Sequence, residues 1–217
     1  MRSQHFDNSQ WTSILQNHVS NDGHVDYKAI TLNTKKLDTY LNSFSKVTPN
    51  NTWTKNETLA FWINAYNAFT IKLIIDNYPI KSIKNIKNPW DKKFIKIGTQ
   101  TMSLNHIEHD ILRKMSEPRI HFAIVCASVS CPRLQNEAFS ASKLDSQLDK
   151  AAFEFLSDFT KNNITENNLS LSKIFQWFSK DFKQKGDLIH FLNLYAQVKI
   201  SKNAKIKFKD YNWNLND

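Results

Sequence analysis

Seventeen consecutive residues, Leu59 to Ile75 (LAFWINAYNAFTIKLII), contain a single charge, Lys72. A helix that is apolar on every side has to be enclosed by the rest of its chain. Just ahead of it, Thr54-Lys55-Asn56-Glu57 has capping-box spacing, in which hydroxyl and carboxylate each satisfy the other residue's backbone N–H. Pro79 bounds the far end. The run predicts a central, largely buried helix and falls short of the length that spans a bilayer. Everything else in the chain has to wrap around this rod.

The wrapping segments read as mostly helical. Phe6 to about Val19 has helical spacing and is followed by a turn at Asn21-Asp22-Gly23; Leu32 to Phe44 is a second helix. Phe94 to Met102 reads as a hairpin turning at Gly98-Thr99, and Ser103 caps a helix running to about Lys114. Glu117-Pro118 ends it. Arg119 to Ser128 (RIHFAIVCAS) then alternates as a strand, with Ile120, Phe122, Ile124 and Cys126 on one face. Ser142 to Phe159 is an amphipathic helix with Leu144, Leu148, Ala152, Phe155 and Phe159 in register. A short strand at Leu169–Leu171, helices over KIFQWFSKDF and about 187–196, and a strand at Lys205–Tyr211 complete the chain. There is no repeat and no linker, so the expectation is one α+β domain over residues 1–217, mostly helical with a small, largely antiparallel sheet.

Composition removes some function classes. The net charge of +9 is spread out: residues 1–108 hold thirteen basic and eight acidic groups, the rest sixteen and twelve. Nucleic-acid surfaces cluster their charge, so no nucleic-acid partner is expected. The opening MRSQHFDNSQ lacks the apolar core of a signal peptide, and location stays open. Lysine outnumbers arginine 25 to 4, so positions that remain arginine are read as needing the planar guanidinium fork; Arg113, Arg119 and Arg133 all lie near the two cysteines.

Those cysteines, Cys126 and Cys131, bound the segment CASVSC. Strand phase assigns Cys126 to packing. Pro132 suits the first turn of a helix, which would make Cys131 its N-cap, where the helix terminus and Arg133 lower a thiol pKa. A disulfide between the two would close a very short loop and is left open. His121 stands at the start of the expected strand, too far along a straight one to touch Cys131. A helix running antiparallel to that strand would instead bring His109 and Glu108 back towards the thiol. Asn64 and Asn67 share one face of the apolar helix, as a hydrogen-bond network pinning loops or as site orienters. His106, Glu108 and His109 lack the spacing of a metal site, and neither metal nor cofactor is expected.

FWINAYNAFT, YPIKSI, SLNHIEHDILR, RIHFAIVCASVSCPRL, KIFQWFSKDF and the terminal YNWNLN together resemble successive blocks of the domain of unknown function 547 family. The resemblance extends from about Gly23 to the end, with Asn212 where the family pattern suggests aspartate. It implies a compact α+β domain, found alone in bacterial proteins that often carry export leaders, and it implies no activity. The residues themselves favour a cysteine-dependent hydrolase or acyl transferase, with Cys131 as nucleophile, His109 as base and Glu108 or Asn64 orienting it. Asn64, Asn67, Arg113, Arg119, His121 and Arg133 are candidate binding residues for a small-molecule or peptide ligand. The alternatives are a non-catalytic binding or scaffold module, and a thiol-ligand or redox site using both cysteines.

Overall fold

The computed structural model describes residues 6–217, so residues 1–5 of the expected domain lie outside the described part. The apolar run forms α4, Lys55–Ile75, in which every residue from Leu59 to Ile75 except Lys72 is buried. Its capping box is complete: Thr54 Oγ1 accepts from the Glu57 N–H at 3.2 Å, and Glu57 Oε2 accepts from the Thr54 N–H at 2.8 Å. With its polar first turn the helix reaches the length of a membrane span, which the apolar run alone was expected to miss, and it is the one described helix that does; yet 89% of its most apolar window is buried inside the protein. It is a core helix.

Two helices pack directly on it, α2 (Tyr27–Leu32) and α3 (Lys35–Phe44), and α1 (Ser9–His18) packs on both of those. Their aromatic side chains interlock with those of α4, Phe44 lying edge-on to Phe61 at 5.0 Å and Trp11 stacked on Tyr40 at 5.7 Å. The expected hairpin is present as β1 (Ile95–Ile97) and β2 (Gln100–Met102), paired antiparallel across a turn in which Gly98 has φ +54°. Ser103 Oγ then accepts from the His106 N–H, but the helix it opens is a wide π-type turn, His106–Ile111, followed by a 3-10 turn to Met115.

Two sequence expectations fail in the next segment. Residues 118–122 form a 3-10 turn, not a strand, and no regular strand exists between Arg119 and Ser128. The residues after Pro132 are likewise not helical, so Cys131 is not a helix N-cap. The first has a visible cause. Ile120 through Val125 are buried at every position rather than at alternate ones, because the segment runs between two apolar cores. Ile120, Ala123, Ile124 and Val125 pack into the core around α4, while Phe122 points into the second.

That second core is built by α5 (Leu144–Ser157), β3 (Asn163–Ile164), β4 (Asn168–Leu171), α6 (Ile174–Trp177), α7 (Ser179–Phe182), α8 (Leu188–Leu192) and β5 (Lys205–Phe208). β4 pairs antiparallel with β3 and parallel with β5, so two of the three strand pairings in the described chain are antiparallel. The architecture is α+β and mostly helical, as expected. Phe159, counted with the buried face of α5, lies beyond the helix end and is exposed. KIFQWFSKDF is two short helices broken at Phe178, a break that matters for the site.

Candidate functional site

A pocket of about 240 Å³ opens where the π-type turn, the cysteine loop, the α6–α7 break and the C-terminal tail converge. Cys131, His109 and Glu108, singled out from sequence as the chemical group, all line it, and so does His121. Asn64, Asn67, Arg113, Arg119 and Arg133 do not.

The two sulfurs are joined. Cys126 and Cys131 form a disulfide with their Cα atoms 6.2 Å apart, so Cys126 belongs to the pocket wall rather than to packing. Ala127 between them is fully buried with φ +57°, a left-handed conformation that an alanine adopts only under constraint from its surroundings. The constraint is visible. The tail crosses the loop, with the Val129 N–H bonded to Asn214 O, the Ser130 N–H to Asn212 O and the Asn216 N–H to Ala127 O. Two donors converge on Cys131 Sγ: the Cys126 N–H at 2.8 Å and the Tyr211 hydroxyl at 3.4 Å. Donors placed this way favour the thiolate of Cys131 once the disulfide is reduced. Burial, more than any neighbouring charge, pushes the Tyr211 phenol up to about 12, so it stays protonated and able to donate.

The histidines differ in what they leave free. His109 Nδ1 lies 2.9 Å from Arg113 Nη1. A guanidinium only donates, so Nδ1 is the acceptor and the ring proton sits on Nε2. The lone pair of His109 is therefore occupied, and neither Glu108 nor Asn64 orients the ring as expected. His121 is arranged the other way. Its Nε2 lies 2.8 Å from Asp181 Oδ2, while its ring stacks on Phe178 with centroids 4.0 Å apart. Burial pushes the Asp181 carboxyl up, but hydrogen bonds from His121 and Arg113 outweigh it and hold the group well below the usual carboxylate range. An ionised Asp181 only accepts, so His121 Nε2 carries a proton, and in the neutral ring Nδ1 is the basic nitrogen. His121 lines the pocket, and no hydrogen bond engages its Nδ1. The straight strand that separated His121 from Cys131 does not exist, and the 3-10 turn brings both to one cavity.

Arg113 forks onto Asp181, Nε to Oδ2 at 2.6 Å and Nη2 to Oδ1 at 3.0 Å, which makes it a brace for the His121–Asp181 pair. Arg119 is committed elsewhere, to Glu117, Asp145 and Asp149. Arg133 donates to Asn21 O. The two amides of α4 are brackets: Asn64 exchanges two hydrogen bonds with the backbone of Phe139, and Asn67 bonds Ala123 O at 2.9 Å and the Val125 N–H at 3.0 Å. Glu108, 7% exposed, accepts from the Tyr66 hydroxyl at 3.1 Å. Sequence reasoning missed Asp181 and the aromatic wall of Tyr66, Trp90, Trp177, Tyr211 and Trp213. The available signal was the acidic residue set among the aromatics of FQWFSKDF.

Together these features define an α+β domain, built on a buried helix, that gathers a disulfide, a histidine–carboxylate pair and an aromatic wall in one cavity. Residues 50–156 match the family described as "Protein of unknown function, DUF547", and the chain belongs to it. The matched stretch contains α4 and the cysteine loop, whereas Asp181, Tyr211 and Trp213 lie beyond it. No curated protein and no solved structure matches the chain.

Proposed function

We propose that this pocket is the site of a cysteine-dependent hydrolase or acyl transferase, with Cys131 as nucleophile and His121, oriented by Asp181, as general base in place of His109. One observation carries the reading: the Cys131 sulfur and an imidazole with an unengaged nitrogen and a carboxylate partner line the same small cavity. The disulfide is the blocked form. Two equivalents of an external thiol reduce it to two cysteine thiols and become one disulfide. His121 Nδ1 then takes the Cys131 proton, and the thiolate attacks an acyl carbonyl. A C–S bond forms, the bond to the leaving group breaks, and His121 returns the proton to that group. Water or an acceptor nucleophile, deprotonated by His121, cleaves the thioester and restores the thiol.

The test is hydrolysis of a neutral aryl thioester by reduced and oxidised protein. Reduced wild type and Cys126→Ala without reductant are expected to be active, because removing Cys126 frees Cys131. Cys131→Ala is expected to be inactive, and His121→Asn slower by about 100-fold or more. Equal rates for Cys131→Ala and wild type refute the proposal. The observed pairing of the cysteines favours a second reading, thiol–disulfide exchange. It predicts that Cys126→Ala and Cys131→Ala both lose disulfide-reductase activity and that no thioester is hydrolysed.

A further inference from the structure

We infer that the pocket binds a small quaternary ammonium compound, its methylated nitrogen held by the aromatic wall and by Glu108. The inference concerns the ligand and holds whether or not the thiol reacts.

Glu108 is the starting point. It is 7% exposed, and its recorded partner is a neutral phenol on Oε2. Glu108 lines the pocket, and no hydrogen bond engages its Oε1. The neighbouring cation attracts it through space but does not bond it, because Arg113 spends Nε and Nη2 on Asp181 and Nη1 on His109. A carboxylate oxygen that faces the cavity with no cation in hydrogen-bond contact is a partner for a cationic ligand.

The walls say which kind of cation. Tyr66, Trp90, Trp177, Tyr211 and Trp213 surround the cavity, and ring faces of this kind attract cations through their quadrupoles. One of these rings already holds a cation, Lys84 Nζ sitting 4.1 Å over Trp213. A primary ammonium has three N–H groups to satisfy, and Glu108 Oε1 and His121 Nδ1 are the lining side-chain acceptors that no hydrogen bond engages, while most other polar groups of the wall are committed. Asn105 donates to Asp91, Tyr211 to the sulfurs, Tyr66 to Glu108, and His109 Nδ1 accepts from Arg113. A quaternary ammonium has no N–H to satisfy and uses only charge and methyl contact.

The experiment titrates the intact, oxidised protein with choline chloride and with 3,3-dimethyl-1-butanol, the neutral isostere, at matched ionic strength. Choline is expected to bind about tenfold more tightly or better. Glu108→Gln should cut that preference several-fold while still binding the isostere, and Trp177→Leu should weaken choline several-fold. The inference is overturned if neither compound binds, if the isostere binds as tightly as choline to wild type, if folded Glu108→Gln keeps the full preference, or if methyl glucoside or a trimethyl-lysine peptide binds more tightly than choline. Wild-type discrimination decides the matter even where a variant fails to fold. Because the disulfide stays intact here, failure of thioester hydrolysis leaves this result untouched, and hydrolysis without choline binding removes only this inference.

Discussion

Asn67→Ala is the perturbation whose consequence follows most directly from the structure. The amide of Asn67 is the recorded partner of Ala123 O and of the Val125 N–H. Truncation therefore leaves a buried carbonyl and a buried N–H without partners, and each such group costs about 1–3 kcal/mol. The sum centres near 4 kcal/mol, which for a chain of this size is a fall in Tm of about 8–16 °C. Urea denaturation should show the same loss as a lower midpoint at unchanged slope. Asn67→Asp should be worse, because a carboxylate keeps the acceptor, loses the donor and buries a charge. Val125 adjoins Cys126, so the loosened segment should also let iodoacetamide reach the reduced thiols faster than in wild type. A loss below about 1 kcal/mol in Asn67→Ala would refute the bracket and leave packing alone to attach the segment to α4.

Three other substitutions test separate parts of the fold. The Asp181 carboxyl lies below its ordinary value of 3.8, so it adds stability that is present above that value and lost as pH falls through the depressed one. Asp181→Asn should accordingly flatten the acid side of the Tm-versus-pH profile relative to wild type, and parallel acid limbs would contradict this. Thr54→Ala removes the hydroxyl half of the α4 capping box and should lower stability by about 1 kcal/mol in urea titration. Gly23 has φ +88°, and a Cβ there would lie 2.5 Å from Arg133 Cβ, so Gly23→Ala should cost more than the roughly 1–2 kcal/mol of left-handed strain alone, read as a Tm shift.

How legible was this in the sequence? α4, its capping box, the β1–β2 hairpin and the apolar face of α5 were written in local patterns, because each is stabilised by neighbours within a few turns or by one continuous core. Cys131, His109 and Glu108 line one pocket, but not by the antiparallel helix and strand that grouped them in the sequence, since that strand does not form. Asp181 was not legible. It reaches His121 from sixty positions downstream, through a helix break at Phe178 that no turn residue marks.

The segment after Pro118 shows why pattern alone misled. Ile120, Phe122 and Ile124 alternate as strand residues do, and a strand would satisfy its backbone groups against a neighbouring strand. Here the satisfaction comes from a side chain. Asn67 presents one acceptor and one donor from α4, taking the place of a strand neighbour for Ala123 and Val125, and Asn64 does the same for Phe139. Freed from a ladder, the segment can turn through a 3-10 helix, send Phe122 into one core and Ile124 into the other, and turn His121 back beside the disulfide. The two asparagines that looked out of place in an apolar helix are thus what allows the site to form where it does. A buried amide on a core helix should be read as a claim on someone else's backbone before the neighbouring segment is assigned to a sheet.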